Sequence, residues 1–468
     1  MKISPSAEVY AWRELARRAG IQAESGFKRL GVPILYGSPE NADSSHPALI
    51  VCRAVDSTWD NLLLLRKQDL RWIPVSEVIP PGSSVPFKNA IPVLFWGEHV
   101  DGRTQPFAKR LANGSIVFHA DILATTLFML TRWEETVSKT KDKHSRFLAV
   151  DSVACKLDFL DIPIVDQYAL ILREWLKLAV PHWVPQQNTP VINLTHDIDH
   201  VYQYANPLSV ARALGIALTS KQPLPTMFAE LKALRTQLFD PSNGERYRAI
   251  YALASHSNAL GFRSRFYFMS GKASLKQQGY NPDNSLVQEA FRFLQQYGHE
   301  IGFHPGYSTF GNPSILAQEK NRLERALDGK VLGGRQHFLR FRVPHTWRHW
   351  EQAGMEYDST LGYADHEGFR CGTCHPYQPF DIEEDRTISL REIPLIVMDT
   401  TLIEYRKMTI EGGRKAILEL ARKCMEVEGV FTLLWHNATL VGKYLDWGKM
   451  YIETLPYLKE LIEKDQGC

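Results

Sequence analysis

Asp197 and Asp199 stand one residue apart in VINLTHDIDH (191–200). With His196 and His200 they place two carboxylates and two imidazoles within five consecutive residues, directly after a short apolar run. Carboxylate and imidazole are the groups that bind divalent cations and move protons near neutral pH. A polar turn in which an aspartate caps the next helix would account for these residue types. So would a metal site in which one aspartate is a ligand and the other a base. Similar residues recur downstream at or near the C-terminal ends of strand-like runs: His304 in GHEIGFH (298–304), Arg342 in FLRFR (338–342), Asp358 in MEYDSTL (355–361) and His436 in VFTLLWH (430–436). An unpartnered imidazole would be costly at the end of so apolar a run as the last, which favours a specific role for His436. His299, inside its run, reads as structural, and His256 as a surface or packing residue. Trp347 and Trp350, three apart, suit helix packing as well as a sugar-binding face.

The elements that must hold these residues follow from periodicity. Strand-like runs at 190–196, 263–269, 299–304, 338–342, 355–361, 391–398 and 430–436 alternate with helix-period segments such as 284–298, 313–329 and 411–429. That alternation predicts βα units and a parallel sheet. Seven strands suit an incomplete barrel better than an open doubly wound sheet, and in parallel α/β folds ligands gather where the C-terminal strand ends converge. Neither GxGxxG nor GxxxxGK[ST] follows the first strand, so nucleotide binding has no support. A proline-rich break at AVPHWVPQQNTP (179–190) separates this part from what precedes it. There, 48–53 and 91–97 read as buried strands, 121–136 as a largely buried helix, 137–146 as a polar loop and 163–180 as an amphipathic helix starting at a proline. The expected organisation is a smaller α/β domain over 1–185 and a deformed (β/α)7-type barrel over 186–468, with 221–245 inserted in the latter.

Composition bounds the function classes. With 44% hydrophobic and 23% charged residues in 468, the chain reads as globular, and a net charge of +2 without a basic block gives no electrostatic case for nucleic acid. No run of about 18 apolar residues predicts a membrane span. The first twenty residues lack the apolar core of a signal peptide, so a cytoplasmic location is expected. Six scattered cysteines then read as reduced thiols. CGTCH (371–375) matches a haem-attachment pattern, but covalent haem normally needs an exported protein. No second CxxC or HxxxH pair follows at zinc-finger spacing, leaving a glycine-containing turn with ordinary thiols.

Taken in order, THDID (195–199), GHEIGFHPGYS (298–308), RVP (342–344), YDSTLGY (357–363) and LLWHN (433–437) resemble the five motifs of the polysaccharide deacetylases of the NodB type, carbohydrate esterase family 4. DILATTLFMLTRWEE (121–135), RFLAVDSVACKLDFLDIPIVDQYALILR (146–173) and 356–382 are similar to a subgroup in which an uncharacterised N-terminal domain precedes the deacetylase domain. The resemblance implies hydrolytic removal of an N-acetyl group from a sugar of a bacterial surface glycan or its precursor. It implies a divalent metal, zinc foremost, on Asp199 and His304, with Asp197 as general base, Arg342 orienting it, and His436 as general acid. The backbone N–H of His345 would complete an oxyanion hole, and Ser308, Trp347 and Asp358 would lie along the substrate. The chain departs from the family at Ser308, where the second metal histidine is expected. His200, His345, His366 or His375 could replace it, a water on Ser308 could, or Asp197 and His436 could act without metal. A metal-independent, allantoinase-like C–N hydrolase and a non-catalytic glycan-binding protein are therefore the rival readings.

Overall fold

The computed structural model describes residues 2–21, 30–38, 40, 46–202, 215, 224–271 and 279–466. Its larger sheet contains eight strands: β1 Val191–Ile198, β2 Arg265–Phe268, β3 Glu300–Phe303, β4 Gly333–Gly334, β5 Tyr357–Asp358, β6 Arg391–Glu392, β7 Val397–Met398 and β8 Val430–Leu434. They run in the order β6-β5-β4-β3-β2-β1-β8-β7, every pair parallel. The run expected as one strand, 391–398, splits into β6 and β7 at opposite edges. The residues between them can bridge no more than about 17 Å. The edges therefore face each other across that short link, and the sheet curls into an incomplete barrel.

β1 is buried from Ile192 onward because β2 and β8 flank it. Its polar side chains find partners on both faces. Asn193 donates to Thr432 Oγ1 at 3.2 Å, Thr195 donates to Leu433 O at 3.0 Å, and His196 Nδ1 lies 2.8 Å from Trp435 O. The strand expected at 338–342 does not form. The ladder position belongs to Gly333 and Gly334, where a Cβ on the second would come within 1.8 Å of Phe303 O. Gly334 lets β4 lie close to β3, and Gly333 leaves room for the Tyr357 ring of β5. Helix Leu224–Phe239 occupies most of the expected insertion, whose first residues, 221–223, lie outside the described ones.

In the N-terminal part, Ile34–Tyr36, Leu49–Val51, Ile116–Phe118 and Ala108–Arg110 form a four-stranded sheet beside helices Pro5–Arg18, Ile122–Leu130 and Ile164–Ala179. The helix expected over 121–136 breaks at Arg132, whose φ is +53°. The break turns a fully buried guanidinium onto Glu134 (2.7 Å) and Glu135 (2.8 Å). Glu135 also receives Arg370 at 2.6 Å, tying the two parts together through charge. CGTCH forms a turn at Gly372 (φ +61°), whose carbonyl accepts the Val165 N–H at 2.9 Å, and Cys371 and Cys374 are buried free thiols. No described helix is long and apolar enough to cross a membrane.

Burial works against a charged Glu135, but Arg370 and Arg132 outweigh it and hold the carboxyl down to about 2 from an ordinary 4.5. The folded value lies below the unfolded one, so the stabilisation is full above pH ~4.5 and is lost as pH falls toward 2, on the order of 3 kcal/mol in total. Urea midpoints between pH 6 and pH 3 should show this loss. Glu135→Gln, less stable at pH 6, should show a shallower pH dependence.

Candidate active site

Because every strand of the larger sheet points the same way, the first polar residues past the strand ends meet at one edge. Asp197 and Asp199 come from the end of β1, His304 from β3, Arg335 and His337 from just beyond β4, Asp399 from β7 and His436 from β8. Asp197, Asp199, His304, His337 and His436 face a cavity of about 370 Å³, part of whose wall is apolar (Phe338, Leu339, Met398).

Asp199, His304 and His337 each offer a ligand atom, all within 4.8 Å of one another. His304 Nδ1 lies 2.7 Å from the Arg335 carbonyl, so Nδ1 donates and Nε2 keeps its lone pair toward Asp199. Nε2 and Asp199 Oδ1 are 3.1 Å apart, buried, and without a hydrogen-bond partner. Two buried acceptors that face each other with no donor between them fit a cation. Burial lowers His337 to about 3, keeping its imidazole neutral and able to ligate.

Asp166, Cys374 and His375 also cluster, but Asp166 Oδ1 already accepts from Arg18 and Thr373, and Oδ2 from the Cys374 N–H. The Arg18 guanidinium occupies the place of a cation there, so that cluster is a structural tie.

Asp197 is fixed by Arg335, which donates to Asp197 Oδ1 at 2.9 Å, Thr195 Oγ1 at 3.0 Å, Ser359 O at 2.8 Å and Ser359 Oγ at 3.0 Å. Its guanidinium also lies over the Tyr267 ring at 5.1 Å. Four hydrogen bonds from one planar guanidinium hold Asp197 and its neighbours in a fixed geometry. On the other side of the cavity, Asp399 is fully buried. It accepts the His436 N–H at 2.7 Å, holds His436 Nδ1 at 2.7 Å, and takes a hydrogen bond from Thr439. Burial would lower His436, but the Asp399 charge and hydrogen bond push it up to about 10. His436 Nε2 lies 3.8 Å from Asp199 Oδ2. A carboxylate and an imidazolium thus flank the Asp199, His304 and His337 cluster.

The other sequence-expected residues lie elsewhere. Arg342 is exposed. Because the strand sits at 333–334 and not at 338–342, Arg335 takes the role expected of Arg342. Arg342→Ala should therefore change stability by less than about 0.5 kcal/mol and leave turnover at the wild-type value, as urea midpoints and steady-state assays would show. Ser308 is exposed in the turn Tyr307–Thr309, away from the cluster. His345 opens helix His345–Gln352 and does not line the cavity. Trp347 is core: fully buried, it donates to Glu392 at 2.9 Å and meets Phe341 edge-on at 5.3 Å. Asp358 is also fully buried, beside Glu392 in the neighbouring strand, and burial raises it to about 6.

Of the histidines considered as replacement ligands, His366 pairs with Asp365 and His375 with the Val427 carbonyl. None of His200, His345, His366 or His375 joins the cluster; His337 does. Sequence reasoning missed His337, Arg335 and Asp399. Asp399 follows the apolar run 391–398 and fits the strand-end regularity. His337 and Arg335 were concealed by a strand made of two glycines.

A family model described only as a family of unknown function (DUF7033) matches residues 63–181. No curated protein matches the chain. Among solved structures, one described as a "putative polysaccharide deacetylase" from Mycobacterium smegmatis is 18% identical, covering 59% of this chain and 86% of that one, with a TM-score of 0.36.

Proposed function

We propose that this protein is a metal-dependent hydrolase that removes an N-acetyl group from a carbohydrate, with a sugar of a bacterial surface glycan or its precursor as substrate. The observation that carries this is the convergence of Asp199, His304 and His337 with an Arg335-held Asp197 and an Asp399-held His436 on one cavity. The ordered motif resemblance supplies the substrate class.

Asp199, His304 and His337 would hold the metal, which when bound supplies Lewis-acid polarisation and a water of lowered pKa. Asp197, held in place by Arg335, takes the proton of the attacking water. His436, held protonated by Asp399, delivers a proton to the departing sugar nitrogen, without which an amine leaves poorly. Phe338, Leu339 and Met398 give the acyl methyl an apolar wall and limit water. The metal-free alternative loses its motive, because His337 makes up the shortfall left by Ser308.

The test is acetate release from a panel of N-acetylated sugars before and after chelation, with metal content measured in parallel. The proposal expects about one ion per chain, loss of activity on chelation and recovery on adding zinc back. Full activity in the chelated protein would establish the metal-independent hydrolase in its place.

A further inference from the structure

We propose that Arg146, on the N-terminal loop 138–148, is a positioning residue for the active site, fixing the turn that presents His337 together with the Tyr405 phenol at the cavity wall. The inference rests on the functional reading above for the role of His337, and not for the contacts themselves.

The turn after β4 is strained. Phe338 and Leu339 both have positive φ, +62° and +52°, although neither is glycine. Left-handed side-chain-bearing residues are strained and persist only where surrounding contacts over-determine them. Here those contacts come from residues nearly two hundred positions earlier. Arg146, 5% exposed, donates to the Phe338 carbonyl at 3.2 Å and to the Tyr405 hydroxyl at 2.9 Å. Phe338 is the residue next to His337, and Tyr405 ends the π-helical turn Thr401–Tyr405 on another side of the cavity.

The loop is built to hold that guanidinium still. Asp142 Oδ2 accepts Arg146 Nε at 2.9 Å, while Asp142 Oδ1 accepts the backbone N–H groups of His144 and Arg146 at 2.8 and 2.9 Å. Asp142 also neutralises the charge, so a cation beside the site meets an ion pair and not a bare guanidinium. A second grip lies one residue further on. Arg340 donates to the His144 carbonyl at 2.9 Å and packs 4.0 and 4.1 Å from the ring centres of Tyr307 and Phe310. The His144 ring meets that of Phe338 at 4.8 Å. The His337 turn is therefore clamped by the N-terminal part on both sides, and the site is incomplete without that part.

The experiment uses the full chain, wild type beside Arg146→Ala, with Asp142→Asn as the second variant should the first fail to fold. Zinc affinity is read by competition with a chromophoric chelator. Backbone amide exchange at Leu339 and Arg340, which donate to Gln336 and His337 carbonyls, is read in metal-free protein. The expected result is zinc binding weakened about 10- to 100-fold, the usual effect of removing an outer-shell support. Amide exchange should be faster at Leu339 and Arg340 than in wild type. Zinc affinity within twofold of wild type, in a folded variant, overturns the proposal. Should wild type itself bind no zinc, the functional reading falls and amide exchange alone decides: faster exchange upholds the positioning role, and unchanged exchange overturns it.

Discussion

His337→Ala is expected to release the bound metal and take the activity with it, while leaving the protein folded. A structural zinc site contributes on the order of 10–16 kcal/mol, so the share of one ligand is about 3–4 kcal/mol, a 10²- to 10³-fold loss of affinity. The imidazole has no hydrogen-bonded partner at Nδ1 and lies 3.5 Å from Asp199 Oδ1 through Nε2, so its removal breaks no established hydrogen bond there. Elemental analysis after gel filtration, alongside far-UV circular dichroism, checks both halves of the expectation. Ser308→Ala is the control: exposed and outside both the cluster and the cavity lining, it should retain full metal content. A His337→Ala protein that keeps one ion per chain would mean that the metal, where present, sits elsewhere.

Asp197→Asn should show the complementary defect, metal retained and turnover lost. The amide keeps the shape and can still accept from Arg335, but it cannot take a proton from water. General-base removal lowers kcat by about 10²- to 10⁴-fold. KM should change little, because the carboxylate acts on the water and not on the sugar. Neutralising Asp197 also leaves the Arg335 guanidinium buried without its counter-charge, so some stability is lost as well. Steady-state kinetics with metal analysis on the same sample separates the two effects. A kcat near the wild-type value would move the base to another residue and remove the main reason for pairing Asp197 with His436.

The strand-end chemistry was legible in the linear chain. Asp197, Asp199, His304 and His436 each follow an apolar run, and a parallel α/β alternation implies that such ends converge, as they do around the cavity. The long helices were legible too: Ser285–Gln296 and Pro313–Leu327 fall inside the segments where apolar periodicity placed them, and Ile410–Glu426 begins one residue before its segment. Short elements were not. β4 is two glycines, with no side chain to carry a pattern, and FLRFR offers alternation without forming a strand. That single displacement moved the expected arginine from Arg335 to Arg342 and concealed His337.

What the sequence determined by itself was therefore the kind of chemistry available and the edge of the sheet where it collects, because apolar runs and the residues that end them are local features. Which imidazole completes the cluster, which guanidinium fixes Asp197, which carboxylate charges His436, and that a loop before the barrel braces the site were decided by the tertiary structure. Each of those pairs joins residues dozens to hundreds of positions apart, Asp197 with Arg335, Asp399 with His436, Arg146 with Phe338. Their distances are set by the packing of β3 on a glycine strand and by the curl that brings the sheet edges together, and neither leaves a period in the chain.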